Sequence, residues 1–293
     1  MITYAASLGS FIRYFDETIY NAFARCNLRK VEVQLWGEGP DCEENNQALK
    51  LLNRAVEDKV IIPVSAHLPF YGGGLRWDPS ALEEDIRKDV VARMSKLMLD
   101  NAALLGGNIT LHASNEPPLA EHPQRIIQCR KSLKELLPVA EKLDLSINVE
   151  YLPRTCVGNC VEELEALVDG LPEKHVGIIM DVNHIMDRYQ SLPQIIERLA
   201  PRLKAFHICD YDGVDEMHWF PWQGIIQWDK VMAAIRKLPQ DVLLISETMF
   251  QLGTKVSHVA DPYFGLRQTE KAFWFLENCD ELMKSEDEFR KKL

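Results

Sequence analysis

The chain has 293 residues, 46% of them hydrophobic and 26% charged, and carries a formal net charge of −11. So acidic a surface weakens approach to nucleic acid and to anionic membranes, where Lys and Arg supply the attraction, and neither is an expected partner. No basic leader precedes an apolar run, no apolar stretch reaches about 18 residues, and seven scattered cysteines without a CxxC pair suit a reduced, cytoplasmic protein.

Strand and helix periods alternate along the whole length. Apolar runs rich in Val, Ile and Leu lie near 2–8, 31–36, 60–67, 108–113, 145–151, 176–182, 203–209 and 242–247. Continuous runs of this kind suit parallel strands covered on both faces. Amphipathic segments follow them at 17–26, 43–58, 81–105, 123–143, 162–167, 192–199, 229–238 and 264–284. Start and turn signals punctuate the series at Asp78-Pro79-Ser80, Gly106-Gly107 and Leu192-Pro193. Eight β-then-α units without a linker predict one (β/α)8 barrel domain over 1–293, with a doubly wound open sheet as the alternative. The charged tail 284–293 is expected to fray or face solvent.

The ends of these runs carry the chemistry. His67, His112, Glu150, Asp181, His207 and Glu247 each close an apolar run, and His184 follows Asp181 in MDVNH. A carboxylate or imidazole inside a strand bundle is costly unless paired or bound to a cation. In a (β/α)8 barrel all strand C-termini point to one face, where the active site is built. Glu150, Asp181, His207 and Glu247 therefore become neighbours, three carboxylates and one imidazole. Such an oxygen-rich set suits one divalent ion, Mn²⁺ first, with Mg²⁺, Co²⁺ or Zn²⁺ also compatible. Capped or salt-bridged strand ends are the plain alternative.

Further candidates sit on the loops after the strands. Arg154 follows Glu150 by four residues and could orient a ligand oxygen, pair with Glu247 or simply make a salt bridge within the loops. Aromatic residues gather there as well: Trp36, Phe70, Tyr71, Trp77, Tyr151, Trp219, Phe220, Trp222 and Phe250. Rings of this kind suit the C–H faces of a small polyol. Residues 70–77, with Gly72, Gly73 and Gly74 in sequence, read as a candidate lid. No glycine-rich phosphate cradle stands out, which favours an unphosphorylated substrate.

The chain resembles the xylose isomerase-like TIM-barrel superfamily, above all its sugar isomerase/epimerase branch and more distantly endonuclease IV. The matching residues are the Glu of NVEYLPR, the Asp and His of MDVNH, the His of FHICD and the final Glu of SETMF. H-L-P at His67, L-H-A at His112 and His218 upstream of PWQGIIQW extend the match over nearly the whole chain.

The resemblance implies that Glu150, Asp181, His207 and Glu247 bind one divalent metal. It makes His184 a residue supporting the ion or binding substrate; with His67, His112 and His218, and with Arg154 and Trp36 from the loops, it completes the expected substrate-binding set. It also makes Glu150 and Glu247 a catalytic pair that removes and returns a proton beside a carbonyl, through an enediolate. A same-scaffold dehydratase of inosose or dehydroshikimate type, and a sugar-binding barrel without catalysis, share these features. Two positions depart from the ketohexose 3-epimerase pattern: Cys156 replaces a carboxylate, and DYDGVDEMHWF lacks an Arg. Endonuclease IV-like proteins bind three zinc ions through nine ligands. His67, His112, Glu150, Asp181, His184, His207, His218 and Glu247 match eight, with Asp215 and Glu216 near the ninth. A sugar or polyol is the expected partner, with homo-oligomerisation open.

Overall fold

Eight parallel strands close into a barrel in chain order. They are Ile2–Ser7 (β1), Lys30–Gln34 (β2), Ile62–His67 (β3), Asn108–Leu111 (β4), Ser146–Tyr151 (β5), Val176–Asp181 (β6), Leu203–Ile208 (β7) and Val242–Ser246 (β8). The computed structural model describes residues 1–37, 42–249 and 261–291. Closure comes from β1 pairing with β8, in register from Ile2 opposite Val242 to Ala6 opposite Ser246. The helices Glu17–Ala24 (α1), Glu43–Glu57 (α2), Glu84–Asp100 (α3), His122–Leu143 (α4), Val161–Val168 (α5), Leu192–Leu199 (α6), Trp228–Ile235 (α7) and Pro262–Arg290 (α8) follow the strands one by one. The predicted (β/α)8 barrel is the observed architecture.

Two apolar layers hold it. The larger lies between strands and helices and includes Val31, Val33, Ile109, Leu111, Val149, Ile178 and Phe206 from the sheet with Phe23, Leu52, Met94, Leu133, Leu164 and Leu276 from the helices. The smaller is inside the barrel and consists of Ala5, Ile179, Ala205 and Ile245. Side chains alternate along a strand, so residues two positions further on share the same face. Ser7, Asp181, His207 and Glu247 follow these four apolar residues by two positions. An apolar plug thus underlies a polar mouth.

Two local expectations change. Asp78-Pro79-Ser80 does not open α3, which starts four residues later at Glu84. Asp78 instead closes a turn on Ser80, accepting from its N–H at 2.9 Å and its hydroxyl at 2.6 Å, and pairs with Arg125 of α4 at 2.9 Å. An Asp side chain that can bond its own backbone two residues on favours a turn as readily as a cap. The charged tail from 284 faces solvent at its described side chains, as one of its two expected states, but it stays helical, since α8 runs on to Arg290. Residues 292–293 lie outside the described part.

A third feature concerns β2 and β3. Their register slips between Val31 and Glu32, so that Val31 faces Pro63 while Glu32 faces Ser65, passing over Val64. Gly106 packs onto the backbone this frees. Its φ is +62°, and a Cβ there would lie 2.4 Å from the Val64 carbonyl carbon.

Candidate metal centre

The strand tips deliver their side chains to one spot at the C-terminal mouth. Glu150, Asp181, His207 and Glu247 offer ligand atoms that all lie within 4.8 Å of one another. Two donors bonded to one ion at about 2.1 Å can be at most about 4.2 Å apart, so the set is close to the spacing an ion demands. His207 Nδ1 lies 3.0 Å from Glu150 Oε1 and 3.1 Å from Glu247 Oε2. Glu150, Asp181 and His207 are buried and Glu247 is 13% exposed.

Burial without partners is the telling observation. Glu150 Oε2 and Asp181 Oδ2 are buried and make no hydrogen bond. His112 Nε2 approaches Glu150 Oε2 to 2.8 Å, yet the two are not aligned as donor and acceptor. Unsatisfied buried carboxylate oxygens are costly. A cation between oxygen and nitrogen lone pairs removes the cost, so the donor set fits a divalent ion.

The surrounding imidazoles are pre-aimed. His67 Nδ1 bonds the Leu68 carbonyl at 2.8 Å, His184 Nδ1 the Tyr151 carbonyl at 3.0 Å, and His218 Nδ1 the Glu247 carbonyl at 3.0 Å. Each bond fixes one nitrogen as donor and turns Nε2 toward the mouth, as is usual around metals. Two further groups with metal-like spacing result: His67, His112 and Glu150, and Asp181, His184 and His218. Glu216, with Oε2 3.5 Å from His184 Nε2, adjoins the second group, whereas Asp215 is 61% exposed.

Electrostatics follow from this packing. Burial alone would lower His67, but the Glu150 carboxylate, with Glu32 and Glu247 behind it, lifts its pKa from 6.5 to about 9. His207 goes well above its ordinary value because Glu247, Glu32 and Glu150 outweigh its burial. Burial would raise Glu150 and Glu247, but the neighbouring imidazoles hold Glu150 well below its usual range and Glu247 down to about 2. His112, where burial dominates, is lowered, and burial likewise raises Asp181.

Above these four side chains opens a cavity of about 320 Å³, lined by His67, Phe70, His112, Glu150, His184, His218 and Glu247 and, on the β5–α5 side, by Arg154 and Cys156. Arg154 does not pair with Glu247. It is engaged by Glu116 at 2.6 Å and Glu216 at 2.5 Å, and no other Arg or Lys lines the cavity among the described residues. Trp36 is placed elsewhere: it packs on Tyr14 and Tyr71 beside a separate small crevice. Of the aromatic residues, Phe70 is the described cavity wall, stacked on His112 at 4.1 Å, while Trp77, Tyr151 and Phe220 are core. Phe250 lies outside the described residues.

Glu32 was not among the candidate residues. It is fully buried inside the barrel, 2.9 Å from His207 Nε2. Its strand reads KVEVQ, a polar–apolar alternation that looks half-exposed. Only the barrel's closed interior turns that polar face inward.

Comparison with known proteins agrees with the barrel fold. The sequence matches the xylose isomerase-like TIM barrel family over residues 21–256, and no curated protein matches it. The fold is similar to a D-tagatose 3-epimerase-like protein at a TM-score of 0.73, with 18% identity over 94% of this chain and 98% of that one. It is similar to D-psicose 3-epimerase from Clostridium cellulolyticum H10, solved with D-tagatose, at a TM-score of 0.71 and 16% identity over 94% and 99%. It is also similar to the IOLI protein with a bound zinc atom, at a TM-score of 0.70 and 14% identity over 94% and 98%.

Proposed function

Since the chain belongs to the xylose isomerase-like TIM barrel family, we propose that it is a divalent-metal-dependent isomerase or epimerase of an unphosphorylated sugar or related polyhydroxy carbonyl compound. The observation that carries this reading is the convergence of Glu150 and Glu247 on one nitrogen of His207 at the floor of a ligand-sized cavity. Sugar epimerases and a zinc-bound protein among similar folds support it.

Glu150, Asp181, His207 and Glu247 would hold the ion, with Mn²⁺ the first choice for an oxygen-rich set. When bound, the ion would polarise a substrate carbonyl and acidify the neighbouring C–H bond. Glu150 comes from β5 and Glu247 follows β8, three strands round the ring. One carboxylate takes the proton from carbon, leaving an enediolate, and the other, after taking up a proton from solvent, returns one to that carbon. Both carboxyls are held low by the imidazoles around them, so both begin as bases at neutral pH. His67, His112, His184 and His218 offer polar contacts to substrate hydroxyls, and Phe70 gives an apolar wall. Glu116, Glu150, Glu216 and Glu247 against the single, already paired Arg154 disfavour an anionic substrate.

The test is solvent exchange. The metal-loaded protein, incubated in deuterated water with a panel of ketoses, is expected to place deuterium in recovered sugar or epimer without loss of water. Loss of water, with no deuterium in recovered sugar or epimer, would favour the dehydratase, which expels a β-hydroxyl after the same first step. Sugar binding without exchange would refute catalysis. Glu247→Gln should lower turnover by about 100-fold or more and weaken metal binding while leaving the fold intact, since the barrel core is apolar.

A second reading, phosphodiester hydrolysis at a three-ion centre, is favoured by the two flanking ligand groups. It requires about three metal ions per chain by elemental analysis and cleavage of abasic duplex DNA. The carboxylate-rich mouth argues for the first reading.

A further inference from the structure

Glu32 is an anomaly for a barrel interior. It sits mid-strand in β2 and is fully buried. Its ion-pair partner among the described residues is an imidazole, His207, and no Arg or Lys pairs with it. It does not line the mouth cavity, so it lies one layer beneath the substrate. A buried carboxylate whose charged partner is a histidine alone is expensive, and a neutral side chain of the same volume would fill the space more cheaply.

The way Glu32 is held indicates what the charge does. Oε2 accepts from the Ser65 hydroxyl of β3 at 2.9 Å and from the Thr110 hydroxyl of β4 at 2.8 Å. Oε1 remains for His207 Nε2, 2.9 Å away on the far side of the barrel. The register slip in β2–β3 is what sets Glu32 opposite Ser65. Three strands thus aim one oxygen at one nitrogen. The opposite nitrogen of the same ring, Nδ1, is the one facing Glu150 and Glu247. His67 stacks on the ring, its plane within 9° and its centroid 5.8 Å away, so the imidazole has little freedom to turn.

We propose that Glu32 is a positioning residue for the metal centre. It keeps the His207 proton on Nε2, leaves the Nδ1 lone pair free for the ion, and through its charge strengthens Nδ1 as a donor. The inference rests on the metal reading above. Carboxylates behind a ligating imidazole change metal affinity by about 10–100-fold when removed.

Glu32→Gln is the informative variant. The amide keeps the volume, its oxygen can still accept from Nε2–H, and its NH₂ can donate to the Ser65 and Thr110 oxygens. Zinc affinity measured by chelator competition should fall about 10–100-fold, with the metal-free protein's circular dichroism unchanged. Imidazole NMR of zinc-loaded wild type supplies a readout that needs no variant: His207 should retain a hydrogen-bonded, downfield Nε2–H. Wild-type zinc affinity in a folded Glu32→Gln protein, or a His207 ring bound to zinc without that proton, would overturn the proposal. Should wild type bind no zinc, the metal reading itself falls and this one with it. Should wild type bind and the variant match it, only the role of Glu32 falls.

Discussion

At the scale of single residues, the mouth stores charge whose cost changes with pH. Without a metal, His67 is held protonated in the folded state up to about pH 9, against 6.5 ordinarily. A folded pKa above the unfolded one stabilises the fold fully below the lower value, and the gain disappears as pH rises through the upper one. His207 shifts in the same direction. Glu247 shifts downward, from 4.5 to about 2, so its contribution is present above 4.5 and disappears as pH falls toward 2. The metal-free protein should therefore melt highest near pH 5–6 and lower at pH 9. Under the proposed ligation ion binding has the opposite dependence, because an ion held by His207 would displace its proton. The rise in melting temperature on adding Mn²⁺ or Zn²⁺ should be larger at pH 8 than at pH 6. Thermal melts in chelator and in metal check both signs, and a shift that shrank with pH would contradict them. These residues were legible in the sequence because a Glu, Asp or His ending a Val- and Ile-rich run violates the run's own pattern. Glu32 violated nothing locally, since KVEVQ is an ordinary alternation. Its inward aim depends on closure of the ring, which no local window contains.

At the scale of elements, the strands were legible to within about two residues and the helices less so. Parallel strands buried on both faces announce themselves by continuous apolar runs. Helix α3 began late because Asp78 and Ser80 satisfy each other in a turn tied to Arg125. A start signal and a turn signal share the same residue types. Helix α8 outran its apolar stripe because its charged end is a good helix former, and propensity can carry a helix into solvent. Gly106-Gly107 was read as a break, but only the first glycine is constrained. Gly106→Ala should cost about 1–2 kcal/mol for the left-handed backbone alone, and contact with Val64 adds to it. Gly107→Ala, where a Cβ would meet nothing within 4 Å, should be close to neutral. Urea denaturation of the two variants separates a packing requirement from simple chain flexibility. Equal midpoints would show that the β3–β4 approach tolerates a side chain.

At the scale of the whole molecule, the β/α alternation carried the architecture, because eight units with short connections leave few other solutions. The net charge of −11 was a weaker guide until the mouth could be seen. It acquires a direction from the carboxylates lining the cavity, which oppose an approaching anion. A ketose phosphate should accordingly show a lower kcat/KM than its neutral counterpart. That difference should narrow as salt rises from about 0.05 to 0.5 M, since screening shortens to a few Å. Steady-state kinetics on the pair at both salts decide it. A phosphate preferred at low salt would show that the mouth offers an anion more than its lining suggests.

The seam between β1 and β8 ties the two ends of the barrel's chain together, with the N-terminal amine of Met1 bonded to Asp241. During synthesis the first strand therefore waits, one flank unpaired, until β8, the last strand of the barrel, has left the ribosome. Growth of the nascent chain can complete every neighbouring pair in turn, but the ring cannot shut until then. Any product stopped short of β8 exposes two raw sheet margins and half-builds the mouth, so truncation converts a molecule without edges into one that can recruit its own kind.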